Sequence, residues 1–103
     1  MTFRVITSTR AEREMWETVD YISFELSSPQ TALDLVEKIE QQIADLEFMP
    51  KRFMLVSDER LAQMGMRSVH VKNYSIFYVV DEQTATVTVI SVMYGRRDWA
   101  NLL

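Results

Sequence analysis

Apolar residues recur along the first half of the chain at the spacing of a helix face. Phe3 to Thr7 (FRVIT) is a short β-branched run that predicts a first strand. Ser8 or Thr9 then offers an N-cap oxygen, and Glu12 follows in the first turn, where a carboxylate suits the helix dipole. Ala11, Met15, Val19, Ile22 and Leu26 come at steps of four, four, three and four, which puts them on one face of a first helix. The run Leu26-Ser-Ser-Pro-Gln30 stops that helix and starts another, with Ser28 as N-cap and Pro29 at the first helical position. Ala32, Val36, Ile39, Ile43 and Leu46 make the second stripe, which closes near Pro50. Two amphipathic helices joined by a short turn predict an antiparallel hairpin.

Residues 51–63 are the least regular stretch and read as a loop, with an extended piece at Phe53 to Val56 and one helical turn at 58–63. After Gly65 the period changes to two, in runs from Met66 to Val71, Tyr74 to Val80 and Ala85 to Tyr94. Lys72-Asn73 and Asp81-Glu-Gln-Thr84 are short enough to be hairpin turns. The third run sets Val87, Val89, Ser91 and Met93 against Thr86, Thr88, Ile90 and Val92, a strand half exposed at its start. Tyr74 and Tyr78 bracket Ile76 and share a face, with core packing as the role of at least one; Tyr78 is assigned a structural part. The order β-α-α-β-β-β predicts one α+β domain over residues 1–103, a helix hairpin packed on a small antiparallel sheet.

Composition narrows the function. A chain of 103 residues with 48% apolar content has the size of one domain with one core. Without cysteine there is no disulfide framework, thiolate metal site or thiol nucleophile. The longest apolar run, Ile76 to Val80, is far shorter than a membrane span, and MTFRVITS lacks the apolar stretch expected of a secretory signal. No membrane association and a cytoplasmic location are the expectations. The net charge of −4 is unevenly spread: residues 1–47 hold ten acids against four bases, and residues 48–103 hold seven bases against five acids. That distribution argues against general coating of nucleic acid and leaves room for a local cationic site in the second half.

Most catalytic patterns are missing. A single histidine excludes an H-x-x-x-H metal motif, and neither glycine belongs to a phosphate loop. No metal or cofactor is expected. The helix carboxylates read as solvated faces with i,i+4 partners, Arg13 beside Glu17, while Glu14 has no obvious base. His70 reads as a hydrogen-bonded structural residue more readily than as a base. The densest cluster is Tyr94-Gly-Arg-Arg-Asp-Trp99. Its arginines suit a bidentate grip on phosphate or carboxylate, and its aromatic rings suit stacking. The competing reading makes Trp99 a plug at the core edge, pairs Arg97 with a helix acid such as Asp20, and has Asp98 cap a terminal turn. Arg67, read as lying on an adjacent strand, either joins that surface or is an ordinary strand arginine.

Three segments then carry a resemblance: Met66-Arg67-Ser-Val-His-Val71, Asn73-Tyr-Ser-Ile-Phe-Tyr-Val-Val-Asp81, and Val89-Ile-Ser-Val-Met-Tyr-Gly-Arg-Arg-Asp-Trp99. Together they resemble the RelE/ParE toxin superfamily, over nearly the full length in element order and most specifically in the second half. The resemblance implies a bacterial toxin of a type II toxin–antitoxin module, of the kind linked to growth inhibition and plasmid stabilisation. Its partner would be a cognate antitoxin that folds on its surface, and operator DNA would be met only through that antitoxin. RelE-like members cut messenger RNA on the ribosome with basic and aromatic side chains; ParE-like members inhibit DNA gyrase. The position commonly arginine in the nucleases is Ser75 here, which favours the ParE-like reading. The alternatives are a messenger-RNA endoribonuclease working through Arg67, Tyr94, Arg96 and Arg97, and a degenerate member that only binds. If the last strand's alternation persists, Tyr94 and Arg96 face the target together with Arg67, while Arg97 and Trp99 hold the tail against the sheet.

Overall fold

The computed structural model describes residues 2–95 together with 102 and 103. Strand β1 (Arg4–Thr7) leads into helix α1 (Thr9–Asp20), which runs on as one π-helical turn over Tyr21–Glu25. Helix α2 (Pro29–Asp45) follows, then a 3-10 turn at Pro50–Arg52 and the short helix α3 (Glu59–Gln63). Three strands complete the described fold: β2 (Arg67–Val71), β3 (Tyr74–Asp81) and β4 (Thr86–Tyr94). No described helix is long and apolar enough to cross a membrane.

Local chemistry explains the helix starts. The Ser8 side chain accepts the Ala11 N–H at 3.1 Å, and Glu12 sits in the first turn. Pro29 opens α2 because its missing N–H is one that a first turn leaves unpaired anyway. Ser28 is the N-cap residue, but its hydroxyl bonds the Thr31 hydroxyl at 2.6 Å rather than a backbone N–H. The α2 stripe is as the spacing predicts, with Ala32, Ile39, Ile43 and Leu46 buried. On the first helix the stripe drifts: Ile22 is buried, but Leu26 is exposed. The π turn is the cause, since its wider ring gives more residues per turn and carries Leu26 past the sheet.

The sheet order is β1-β4-β3-β2. The α+β layering stands, and one pairing differs from an all-antiparallel sheet: β1 is parallel to β4, from Arg4 opposite Thr86 to Thr7 opposite Val89. The reason is geometric. The Phe3 N–H donates to the Glu47 carbonyl at 2.8 Å, so the hairpin returns the chain to the end from which β1 set out. From there β2, β3 and β4 run up, down and up, and an odd-numbered meander ends pointing the same way as β1.

The core has two parts. Ala11, Ile39, Ile43 and Leu46 pack on Val69, Tyr74, Ile76, Tyr78, Val87, Val89 and Val92, which form the helix-facing side of the sheet. On the opposite face Val56, Leu61 and Met66 cover Phe77 and Met93, with Leu103 packed against them. The helix-facing residues of β4 are Val87, Val89 and then Val92, so simple alternation fails between 89 and 92. A β-bulge is responsible: Tyr78 pairs with Val89 and Phe77 with Ser91, leaving Ile90 as the extra residue.

Candidate functional site

Beyond the bulge, the helix-facing side of β4 ends at Tyr94. It pairs across the strands with Tyr74, their ring centroids 5.2 Å apart and tilted by 57°. Tilted rings at this separation suit the quadrupoles of both partners. Tyr74 is buried, whereas Tyr94 is 56% exposed and forms a ledge. A groove of about 850 Å³ runs from this ledge between the hairpin and the sheet, with Tyr21, Ile22 and Leu26 on one wall and Lys38 and Lys72 at its rim. β4 stops at Gly95, whose φ of +74° is open to glycine and strained for other residues; its N–H donates to the Asn73 carbonyl at 2.7 Å. Arg96, Arg97, Asp98 and Trp99 lie outside the described residues, so their expected roles stand only as a proposal.

Arg67 does not join Tyr94. It is on β2, separated from β4 by β3, and it pairs with Tyr78, four residues along β3 from Tyr74, the partner of Tyr94. Ordinary strand dimensions put the two backbones roughly 16 Å apart. The reading of Arg67 on a strand adjacent to Tyr94's is thereby corrected: the meander interposes β3. Its guanidinium donates to the Phe53 carbonyl at 2.6 Å and the Lys51 carbonyl at 3.3 Å, tying the irregular loop to the sheet. Arg52 does similar work at the end of α2, donating to the carbonyls of Asp45, Phe48 and Met49 and lying 4.6 Å from the Phe53 ring centre. Lys51 is ion-paired with Glu82. Much of the basic character of the second half therefore holds the fold.

Tyr78 belongs to the same construction. Its ring is fully buried and its hydroxyl donates to the Pro50 carbonyl at 2.6 Å. Burial pushes the phenol up to about 12 from 10.0, and nearby Arg67 and Arg52 pull weakly the other way. The native state thus keeps a proton that an unfolded tyrosine releases near pH 10. The stabilisation is complete below pH 10 and is lost as pH rises from 10.0 through about 12. Tyr78→Phe is expected to lower stability by about 1–3 kcal/mol at neutral pH, because the buried Pro50 carbonyl loses its donor. Its melting temperature should also fall less steeply than wild type between pH 10 and 12, as followed by circular dichroism.

His70 and Ser75 occupy the opposite face of the sheet. They are cross-strand partners, and His70 Nδ1 lies 2.9 Å from the Ser75 hydroxyl. The expectation of a hydrogen-bonded histidine agrees with this pairing. No group of metal-ligating side chains is present among the described residues.

The structure corrects the expectation for Glu14, including its lack of a basic neighbour. Glu14 has the look of a solvated helix acid, yet its Oε1 accepts from the Ser91 hydroxyl at 2.7 Å and from the Val92 N–H at 3.1 Å. Arg10 lies 3.6 Å from its other oxygen. The signal was phase: Glu14 stands between Ala11 and Thr18, both buried, on the edge of the stripe.

The comparison with family models is decisive for the class. The model described as the ParE toxin of type II toxin–antitoxin systems (parDE) matches residues 5–99. The chain belongs to the ParE toxin family. No curated protein matches this ParE-family chain by sequence. Among solved structures it is similar to the chromosomal ParDE toxin–antitoxin system from P. aeruginosa, with a TM-score of 0.76 at 14% identity, covering 92% of this chain and 98% of that one. It is also similar to the RelBE2 toxin–antitoxin complex from Mycobacterium tuberculosis (TM-score 0.63, 20% identity, 91% and 99% covered). A mutant of the E. coli toxin RelE in the free state gives 0.64 at 15% identity, with 99% and 90% covered. At these identities the likeness is one of fold.

Proposed function

We propose that this ParE-family toxin arrests growth by contact, as an inhibitor of DNA gyrase, and is neutralised by a cognate antitoxin. The observation that carries the reading is the separation of Arg67 from Tyr94, two groups that a ribonuclease centre in this chain would bring together. Arg67 is engaged by loop carbonyls two strands away from Tyr94, and Ser75, where nucleases of the superfamily commonly carry arginine, is closed against His70. Cleavage of a phosphodiester needs its base, acid and phosphate clamp around one site at hydrogen-bond distance. The net charge of −4 adds to the case, because docking on ribosomal RNA is dominated by phosphate neutralisation. A contact inhibitor instead needs an aromatic and arginine anchor: Tyr94 is exposed, and Arg96 is assigned to the target beside it, while Arg97 is assigned to the tail. Trp99 holds the tail to the sheet in this reading. The antitoxin segment folds across the hairpin and sheet, and the operator is met through it. The target places the toxin in the cytoplasm.

Primer extension on messages from induced cells tests the choice. Intact messages together with a DNA-damage response are expected. Ribosome-dependent cuts after induction would transfer the chain to the RelE-like reading.

A further inference from the structure

We infer that the first two turns of α1 act as a clamp on the β4 bulge, and that Glu14 is the positioning residue that turns Tyr94 into the hairpin groove. The proposal rests on the reading of Tyr94 as a target-facing residue, and the clamp itself stands on separate observations. A bulge leaves backbone groups outside the ladder and needs other partners for them. Here Ser8, the N-cap of α1, and Glu14 within the helix supply those partners. The Ile90 carbonyl accepts from the Ser8 hydroxyl at 2.9 Å, while Ser8 N–H donates to the Val89 carbonyl at 2.9 Å. Two turns later the Glu14 carboxylate accepts from the Ser91 hydroxyl and from the Val92 N–H.

The consequence follows from strand geometry. Side chains alternate between faces, so one inserted residue exchanges the faces of everything after it. With Ile90 in regular register, Val87 and Val89 would be followed on the helix side by Ser91 and Met93, and Tyr94 would point to the opposite face. With the bulge, Val92 joins the helix-side core, Met93 joins the opposite cluster, and Tyr94 meets Tyr74 beside the groove. A carboxylate with 18% exposure is a demanding choice for a purely structural role, since its charge must be satisfied by fixed donors. As an acceptor of two donors on consecutive residues it fixes the register of the bulge, which an apolar side chain of the same size does not.

Three variants test the clamp. In the wild type and in Glu14→Gln, which keeps an accepting oxygen, the Tyr74 and Tyr94 rings are expected to show nuclear Overhauser contacts. The Val92 amide should exchange at least 100-fold slower than an unstructured amide in both. In Glu14→Leu the ring contact should be lost, Val92 exchange should accelerate at least ten-fold, and growth arrest on induction should fall at least ten-fold. Ser91→Ala removes one of the two donors and should give an intermediate Val92 rate; it carries the test if Glu14→Leu does not fold. A folded Glu14→Leu protein with the ring contact and full arrest intact would overturn the proposal, as would a Ser91→Ala protein with wild-type Val92 exchange. Tyr94→Ala separates the two readings. If that variant stays toxic while Glu14→Leu loses the ring contact, the target-facing role of Tyr94 fails and the clamp stands.

Discussion

Tyr94→Ala is expected to weaken growth arrest at least ten-fold while leaving most of the stability in place. The ring is 56% exposed, so its removal forfeits little buried area. What is lost in the free protein is one edge contact with Tyr74, about 0.5–1.5 kcal/mol for an aromatic pair. At a target interface the same ring is a natural anchor, where truncation commonly removes about 2 kcal/mol or more of binding, over ten-fold in affinity. Arg96→Ala, at the arginine assigned to the target beside Tyr94, should match the loss of toxicity. Colony counts after induction, read beside thermal melts of the purified variants, check both. Fully toxic variants would remove Tyr94 and Arg96 from the target surface.

Ile39→Ala carries the largest expected loss of stability. Ile39 lies on α2, wholly buried at the centre of the helix–sheet core with Ile43, Leu46 and the β3 side chains. Truncating such a residue removes transfer energy and leaves a cavity, together about 2–5 kcal/mol. Against the roughly 5–15 kcal/mol total of a small domain, that lowers the melting temperature by about 10 °C or more. Leu33→Ala on the same helix is the control. Leu33 is exposed, and its loss should change stability by less than about 0.5 kcal/mol. Urea titrations of the two variants distinguish the cases; equal losses would mean that the α2 stripe does not face the core.

The hairpin was legible because periodicity is local. Five apolar residues at helical spacing, preceded by Ser28-Pro29, mark α2 whatever it packs against. The three-strand meander was legible for the same reason, its turns lying between runs of clear period. What escaped were features set by distant partners. The parallel pairing of β1 with β4 depends on where the hairpin delivers the chain, and no local window holds that. The bulge hides inside an apolar run, where Ile90, Ser91 and Val92 satisfy either register until Glu14 and Ser8 choose one. Glu14 itself was masked by its type, since a helix carboxylate is nearly always solvated. The tail motif was the clearest signature of family. Arg67 shows the limit of such a signature: its place in a motif says nothing of the Lys51 and Phe53 carbonyls that occupy its guanidinium.

Supercoiling of relaxed plasmid by purified DNA gyrase, with and without the purified toxin, addresses the central claim directly. A contact inhibitor should suppress supercoiling in a dose-dependent way with no ribosome or RNA present, and Tyr94→Ala should require at least ten-fold more protein for the same effect. Unimpaired supercoiling at a large excess of folded toxin, from a preparation that still cuts messenger RNA on ribosomes, would contradict the account.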